Sequence, residues 1–412
     1  MKLSQLLISH RVAAGVTRRT SNPSAQSASP RRRLQLAGSR GESFPSILTA
    51  VAATLIALAG VASAQPSLKD AFAGKFLIGA AINQAQFTGE DKRGVPIIQK
   101  QFNTITPENV LKWALVHPRP GTNGYDFGPA DAYVEFGEKN GMVIIGHTLI
   151  WHSQVPRWVF QDEDGKDLTR EALLERMRDH IYTVVGRYKG RIKGWDVVNE
   201  ALQDNGTMRR TPWYRIIGED YLLKAFQYAQ EADPDAELYY NDYSLEMPSK
   251  RNGCIELVKK LQSQGAKVTG IGTQQHNKLA TPNLVEVEKT IVEFGKLGKV
   301  MITELDVDTV QSTQRQLSAD VADVARATGG TSTNELSEAL QQQQAKRYGD
   351  LFSVYMKHAD VIDRVTLWGV TDGDSWLNRP GRVNHPLLFD RNGQPKPAFD
   401  AVIKAAGEKI VP

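Results

Sequence analysis

Two glutamates stand near the ends of apolar runs, and their placement indicates hydrolytic chemistry. The run 194–200 is rich in β-branched and aromatic residues and closes on an amide and a carboxylate, Asn199 and Glu200. A second run of the same form, 300–306, carries Glu304. Such runs are typical of buried strands, and barrel enzymes carry their reactive groups where the strands meet solvent. Two carboxylates so placed are the groups needed to break a glycosidic bond.

The elements that would hold these glutamates alternate between strand and helix patterns. Eight candidate strands follow residue 65, at 76–83, 102–109, 142–149, 193–200, 236–243, 268–276, 300–307 and 364–370. Helical patterns lie between them, at 130–140, 170–188, 221–232, 250–264, 284–297 and 337–358. This alternation predicts an α/β fold, a single (β/α)8 TIM barrel. A doubly wound open sheet is the alternative, but its usual glycine-rich phosphate turn is absent after the first strand.

Polar or aromatic side chains stand at the carboxyl end of every predicted strand. They are Asn83; Glu108, Asn109 and Lys112; His147, Trp151 and His152; Asn199 and Glu200; Asn241, Asp242 and Tyr243; Gln274 and His276; Glu304 and Asp306; and Trp368 with 372–376. These ends meet at one mouth of a barrel, so we expect a cleft lined for a polyhydroxy ligand. Carboxylates and amides bind hydroxyls, while tryptophan faces stack on sugar rings. We interpret Asp242 as an orienting group.

The chain from about residue 68 to 408 resembles the catalytic domain of glycoside hydrolase family 10, the barrel endo-β-1,4-xylanases. The matching blocks follow the family's order. They are Thr-Pro-Glu-Asn at 106–109 with Lys112-Trp113, His-Thr-Leu-Ile-Trp-His-Ser-Gln at 147–154, Trp-Asp-Val-Val-Asn-Glu at 195–200, Asn-Asp-Tyr at 241–243, Gln274-x-His276, Ile-Thr-Glu-Leu-Asp at 302–306 and Trp-Gly-Val at 368–370 through Trp376.

The resemblance implies endo-hydrolysis of xylan by a retaining double displacement. Glu200 corresponds to the general acid/base and Glu304 to the nucleophile. Asn199 would bind the 2-hydroxyl beside the nucleophile, a contact that tightens at the transition state. His276 would hydrogen-bond Glu304 and be oriented by Asp306, which keeps the nucleophile charged.

The same resemblance assigns the remaining site residues to sugar-binding positions. His147, Trp151, Gln274 and Trp368 would surround the reacting sugar. Glu108, Asn109, Lys112 and Gln154 would hold the next sugar on the non-reducing side. Gln154 and Trp376 would crowd the place of a glucose hydroxymethyl group, which favours xylan over cellulose.

Two other functions stay open from the sequence. A related barrel glycosidase acting on β-1,4-glucan or mixed-linkage chains differs only in the crowding at Gln154 and Trp376. A non-catalytic polysaccharide-binding barrel would have lost one or both glutamates, and both are present. The residues His147, His152 and His276 could be read as metal ligands, but no His-Glu-x-x-His pattern is present, and we predict no metal and no cofactor.

The first 64 residues have the form of an export leader. They carry a net charge of +7, and an apolar run at 47–61 precedes Ala62-Ser63-Ala64. This pattern predicts a signal segment at 1–64, cleavage near Ala64 and an exported protein whose catalytic barrel occupies 65–412. A membrane anchor is the alternative, although the run is shorter than a bilayer span of roughly 20 residues. The triplet 31–33 is compatible with a twin-arginine signal, and a start codon placed too far upstream would equally explain the leader's length.

The rest of the chain has a composition that argues against nucleic-acid binding. Of the whole-chain net charge of +4, residues 65–412 contribute −3, so no basic excess remains outside the leader. The single cysteine, Cys254, lies in an amphipathic helical pattern and is read as a buried apolar residue. The polar stretch 311–344 is either an elaborated loop beside the site or a solvated insertion. We expect a monomer whose partners are xylan and xylo-oligosaccharides, with no membrane association once the leader is removed.

Overall fold

The computed structural model describes residues 66–310 and 335–407. Nine parallel strands occur in this part of the chain. They are β1 Leu77–Ile82, β2 Thr104–Pro107, β3 Val143–Ile150, β4 Gly194–Asn199, β5 Glu237–Asp242, β6 Gly270–Thr273, β7 His276–Lys278, β8 Lys299–Asp308 and β9 Ile362–Leu367. The predicted signal segment, its cleavage near Ala64 and residues 311–334 lie outside the described residues, and those calls stay predictions.

Eight of these strands close into a barrel. Each strand from β1 to β5 pairs in parallel with the next, β6 pairs with β8, and β9 joins β8 to β1. The strands are nearly continuous runs of buried residues, as expected for a parallel sheet covered on both faces. The predicted (β/α)8 TIM barrel is therefore confirmed.

Helices lie between most consecutive strands, and two more precede β1 and follow β9. Their bounds are Leu68–Ala71, Gln84–Phe87, Gly94–Gln101, Trp113–Val116, Gly128–Lys139, Arg170–Arg187, Pro212–Ile217, Tyr221–Ala232, Pro248–Ser263, Leu284–Gly295, Glu338–Lys357 and Pro397–Gly407. Short 3-10 turns occur at Thr122–Gly124 and Arg157–Val159. Side-chain caps at Thr169, Asn283 and Ser337 each accept a backbone N–H of the first turn, which fixes where three of the long helices begin.

The structure corrects two of the predicted boundaries. The strand predicted at 268–276 is broken into β6 and β7, because Gln275 adopts a left-handed backbone with φ of 60°. The polar stretch 311–344 ends inside the helix Glu338–Lys357, so its last residues are not a loop. Gln344 is buried there and donates to the carbonyl of His385.

Pairing irregularities bend the two strands that carry the glutamates. The register of β4 against β5 shifts between Asp196 and Val198, and that of β8 against β9 shifts between Ile302 and Leu305. Such bulges re-aim the side chains that follow them. The described helices include none that is both long and apolar enough to span a bilayer.

Candidate active site

A cleft opens at the carboxyl ends of the barrel strands. Its lining residues are Glu108, Asn109, Lys112, His147, Trp151, Gln154, Asn199, Glu200, Gln274, His276, Glu304, Trp368 and Trp376. Every residue that the family resemblance assigns to the site except Asp306 is in this lining, whereas the strand-end residues Asn83, His152, Asn241, Asp242 and Tyr243 are not. Asp306 lies behind it and accepts hydrogen bonds from two lining residues, His276 and Trp376.

Glu200 sits in a buried, hydrogen-bonded position that favours its protonated form. It follows the last residue of β4 with a left-handed backbone of φ 58°, a conformation that costs a non-glycine residue about 1–3 kcal/mol. Trp151 Nε1 donates to its Oε2 at 2.9 Å, and Gln274 Nε2 donates to its Oε1 at 3.1 Å. Burial raises the pKa of Glu200 above its ordinary value, and the nearby charge of Glu304 adds to this, although the two hydrogen bonds oppose it.

Glu304 is also buried but has surroundings that favour its ionised form. Asn241 Nδ2 donates to its Oε1 at 2.8 Å, and His276 Nε2 lies 3.1 Å from its Oε2. Burial alone would raise the pKa of Glu304, but the hydrogen bond and positive charge of His276, with the Asn241 bond, lower it below the ordinary value. The two glutamates therefore have pKa values displaced in opposite directions.

His276 is held as a cation between two carboxylates. Its Nδ1 lies 3.0 Å from Oδ2 of Asp306, and its Nε2 faces Glu304. Burial lowers the pKa of His276, but Asp306 and Glu304 together raise it to about 10. Both ring nitrogens accordingly carry protons at neutral pH and donate, one to each carboxylate. Trp376 Nε1 donates to the same Asp306 oxygen at 2.8 Å, which fixes the tryptophan beside the cleft.

A chain of amides joins the two glutamates. Asn241 Nδ2 donates to Glu304 and also to Oδ1 of Asn199 at 2.9 Å. Asn199 Nδ2 in turn lies 3.2 Å from Oε1 of Glu200. Thr303 donates to Oδ1 of Asn241 at 2.7 Å and so fixes the orientation of that amide. Displacing either glutamate would disturb the other through these bonds.

A second cluster of polar side chains lies on the side of the cleft formed after strands β2 and β3. Lys112 Nζ donates to Oε1 of Gln154 at 2.9 Å and to Oδ1 of Asn109 at 3.1 Å, and it lies 5.0 Å from the ring centroid of Trp151. Burial lowers the pKa of Lys112 and raises that of Glu108. These side chains offer amide, ammonium and carboxyl groups to sugar hydroxyls beside an aromatic face.

His147 presents one ring nitrogen toward the cleft because the other is bound from below. Its Nδ1 lies 2.9 Å from Oδ2 of Asp196, inside the barrel. The ring packs edge-to-face against Trp368, with centroids 5.4 Å apart.

The comparisons with known proteins identify the family. The model of glycosyl hydrolase family 10 matches residues 67–405. The chain belongs to glycosyl hydrolase family 10. Endo-1,4-beta-xylanase A of Xylanibacter ruminicola is 44% identical over 85% of this chain and 96% of that enzyme. The beta-1,4-xylanase of Dictyoglomus thermophilum is 41% identical, covering 82% and 91% of the two chains.

A solved structure agrees with this assignment. A GH10 endoxylanase retrieved from a sugarcane soil metagenome is 43% identical, covers 82% of this chain and 99% of its own, and superposes with a TM-score of 0.76. The protein is accordingly a glycoside hydrolase with a family 10 barrel.

Two residues that organise the site of this family 10 hydrolase have roles that the sequence analysis does not predict. Asn241 is predicted at a strand end without an assigned role, yet it contacts both Asn199 and Glu304. Asp196 is not among the predicted site residues, although a carboxylate inside an apolar strand run is a usable signal, because a buried charge needs a partner. Among residues 66–310 and 335–407, no group of three or more His, Cys, Asp or Glu side chains could hold a metal ion.

Proposed function

We propose that this family 10 hydrolase cleaves internal β-1,4-xylosidic linkages of xylan by a retaining double displacement. Glu200 is the general acid/base and Glu304 the nucleophile. The observation that carries this proposal is that one cleft holds two buried carboxyls with unequal partners, Trp151 and Gln274 at Glu200 but the His276 ring and Asn241 at Glu304. These surroundings raise the pKa of Glu200 and lower that of Glu304. Unequal surroundings of two carboxylates are what separates an acid from a nucleophile in glycosidases. Endo-1,4-xylanase relatives that are matched over most of their length support the substrate.

In the first step, ionised Glu304 attacks the anomeric carbon while protonated Glu200 gives its proton to the glycosidic oxygen. The carbon–oxygen bond to the leaving sugar breaks, and an ester bond to Glu304 forms. The imidazolium of His276 keeps Glu304 ionised and aims its Oε2, while Asn241 holds Oε1. Trp151 and Gln274 hold the two oxygens of Glu200, so the acid is fixed before the substrate enters.

In the second step, the Glu200 carboxylate takes a proton from water, and the water oxygen attacks the anomeric carbon. The ester bond breaks, and Glu304 leaves as a carboxylate. Asn199 lies between the two glutamates, where its amide can bind the 2-hydroxyl of the reacting sugar. That hydrogen bond strengthens as the ring becomes oxocarbenium-like.

The side chains near the rim support xylose as the preferred sugar. Gln154 is held by Lys112 and Asn109, and Trp376 is held by Asp306, so neither moves aside without losing a hydrogen bond. A glucose unit carries a hydroxymethyl group that xylose lacks, and fixed side chains at that place disfavour it by steric exclusion.

A proton NMR time course with a linear xylo-oligosaccharide tests the proposal. It reports cleavage and the anomer that is first released. Initial appearance of the β-anomer supports the retaining route with Glu200 and Glu304 in these roles. Initial α-anomer overturns the role of Glu304, because an inverting enzyme forms no covalent intermediate. Cleavage of cello-oligosaccharides in preference to xylo-oligosaccharides overturns the substrate assignment.

A further inference from the structure

The backbone that follows Glu200 is held by side chains of the neighbouring strand. The last pair in the β4–β5 register is Asn199 with Asn241, and Glu200 N still donates to the Asn241 carbonyl at 2.9 Å. Beyond Glu200 the left-handed turn carries the chain away from regular pairing. Ala201 N then donates to the hydroxyl of Tyr240 at 3.2 Å, and Leu202 N donates to Oδ2 of Asp242 at 3.3 Å.

The two acceptors are bound to each other and to a buried cation. Tyr240 donates its hydroxyl hydrogen to Oδ2 of Asp242 at 2.5 Å. Lys250 Nζ lies 3.0 Å from Oδ1 of Asp242, and both side chains are fully buried. The same ammonium lies 3.3 Å from the ring centroid of Tyr243. The buried Lys250–Asp242 pair is therefore surrounded by the Tyr240 hydroxyl, the ring face of Tyr243 and backbone N–H donors.

Lys250 also reaches the loop that Glu200 begins. Its Nζ lies 3.5 Å from Oδ1 of Asp204, and Ser249 next to it donates to the Asp204 carbonyl at 2.9 Å. The first turn of the helix Pro248–Ser263 thus contacts Asp204 of the loop directly. It supports Leu202 indirectly, because Lys250 binds Asp242 and Asp242 accepts from Leu202 N. Arg251, the next residue of the helix, points elsewhere and binds Glu286 at 2.7 Å.

We propose that Lys250, Asp242 and Tyr240 are positioning residues for Glu200, which fix the left-handed turn so that its carboxyl stays aimed at the leaving oxygen. None of them lines the cleft. Burial raises the pKa of Asp242, and the charge of Lys250 opposes this. The geometry holds both oxygens of Asp242 in place, because Oδ1 faces Lys250 while Oδ2 accepts from Tyr240 and from Leu202 N. This inference rests on the proposed role of Glu200 as the acid.

The effect is measured with aryl β-xylobiosides whose leaving groups differ in basicity. The phenol of phenyl xylobioside is a poor leaving group and needs a proton from the acid. The 2,4-dinitrophenolate of the other substrate departs without one. General acid catalysis contributes about 10²–10⁴-fold, so a misaimed acid costs part of that factor. We expect Tyr240→Phe and Lys250→Met to lower kcat/KM about tenfold for the phenyl substrate and less than about threefold for the dinitrophenyl substrate.

Two matched controls separate positioning from a general loss of structure. Arg251→Met removes the neighbouring buried cation, and Tyr239→Phe removes the hydroxyl of the adjacent tyrosine, which donates to Glu237. Neither contacts the turn at 200–202, so any loss should be equal across the substrates. Equal losses in Tyr240→Phe would overturn the proposal. If Lys250→Met does not fold, as a thermal melt would show, Tyr240→Phe decides the result by itself.

A Glu200→Ala variant distinguishes failure of this inference from failure of the proposed function. A loss of kcat/KM confined to the phenyl substrate, together with a low kcat on the dinitrophenyl substrate that azide restores, supports Glu200 as the acid/base. If Glu200→Ala behaves this way and the Tyr240 and Lys250 variants do not, only the positioning role is wrong. If Glu200→Ala loses kcat/KM equally on both substrates, the acid/base assignment itself is wrong.

Discussion

Nε2 of His276 lies 3.1 Å from Oε2 of Glu304, and this contact joins a cation to the carboxylate proposed as the nucleophile. Asp306 binds the other ring nitrogen, so the histidine is anchored from behind and charged at neutral pH. A buried glutamate would otherwise tend toward its protonated form. The contact with His276 therefore keeps Glu304 ionised at a buried position that would otherwise favour the neutral carboxyl.

Replacing His276 should move the acidic limb of the pH profile. In His276→Asn the cation is lost, burial of Glu304 is no longer offset, and the pKa of Glu304 rises. The acidic limb of kcat/KM on a xylo-oligosaccharide should then lie at higher pH than in the wild type. His358→Asn is the control, because His358 binds Glu288 far from the cleft. An unchanged acidic limb in His276→Asn would contradict the role of this histidine.

The wild-type profile should itself be bell-shaped, with its acidic limb below pH 4.5 and its basic limb above pH 4.5. Glu304 must be ionised, and its pKa is lowered from 4.5, so activity falls on the acid side below that value. Glu200 must be protonated, and its pKa is raised from 4.5, so activity falls on the basic side above it. Glu200→Gln should remove the basic limb for a substrate with a good leaving group. Persistence of that limb in Glu200→Gln would assign it to another residue.

Glu304→Ala should abolish turnover and spare binding. Removing a nucleophile that forms the covalent intermediate costs on the order of 10⁴-fold or more in kcat. Xylotriose binding by calorimetry should stay within about tenfold, because Lys112, Gln154 and the tryptophans remain in place. An active Glu304→Ala protein would refute the mechanism.

The choice of xylan over glucan should depend on Gln154. Its removal in Gln154→Ala opens space for a hydroxymethyl group, and small steric differences in a pocket are worth roughly 10–200-fold. We expect the ratio of kcat/KM for cellotetraose to that for xylotetraose to rise about tenfold. Gln161→Ala, on the same loop but outside the cleft lining, should leave the ratio unchanged. A constant ratio in Gln154→Ala would place the selectivity elsewhere.

The sequence was informative about the site because parallel strands deliver their ends to one place. An amide or carboxylate after an apolar run, such as Asn199 and Glu200, could be placed at the barrel mouth without knowing any distance. What the sequence did not reveal depends on contacts between strands. Asn241 reaches both Asn199 and Glu304 only because of the register of four strands, β4, β5, β6 and β8, and the residue type of Asn241 does not indicate this.

The sequence also does not predict the break between β6 and β7 or the burial of Lys250, which supports the turn at Glu200. The run at 268–276 reads as one strand, and only the left-handed backbone at Gln275 separates β6 from β7. Lys250 begins the predicted helix 250–264 and nothing in the local pattern indicates burial, yet it is fully buried against Asp242. A side chain's burial is decided by tertiary packing, which local pattern does not contain.

A buried histidine pair away from the cleft should make the fold sensitive to acid. His117 Nε2 lies 3.2 Å from the Gly121 carbonyl, which can only accept, so this nitrogen carries the proton. In neutral His117 the Nδ1 is then an acceptor, and His180 Nδ1, 3.4 Å away, must donate to it. Burial lowers the pKa of both histidines, and that of His180 falls well below 6.5. If His117 were protonated, its Nδ1–H and the Nδ1–H of His180 would be two donors pointing at each other.

The sign of the pH effect follows from this arrangement. A histidine whose folded pKa lies below its unfolded value contributes full stability above about pH 6.5 and loses it as the pH falls. His180→Phe keeps an aromatic ring against Trp113, whose centroid lies 3.6 Å from that of His180, but cannot titrate. We expect the free energy of unfolding of the wild type to fall between pH 6.5 and 5 by about 1 kcal/mol per pH unit more than that of His180→Phe. Denaturant unfolding at pH 5, 6 and 7 measures this, with Met177→Leu on the same helix as the control. Parallel pH dependences in the wild type and His180→Phe would show that the pair does not set the acid sensitivity.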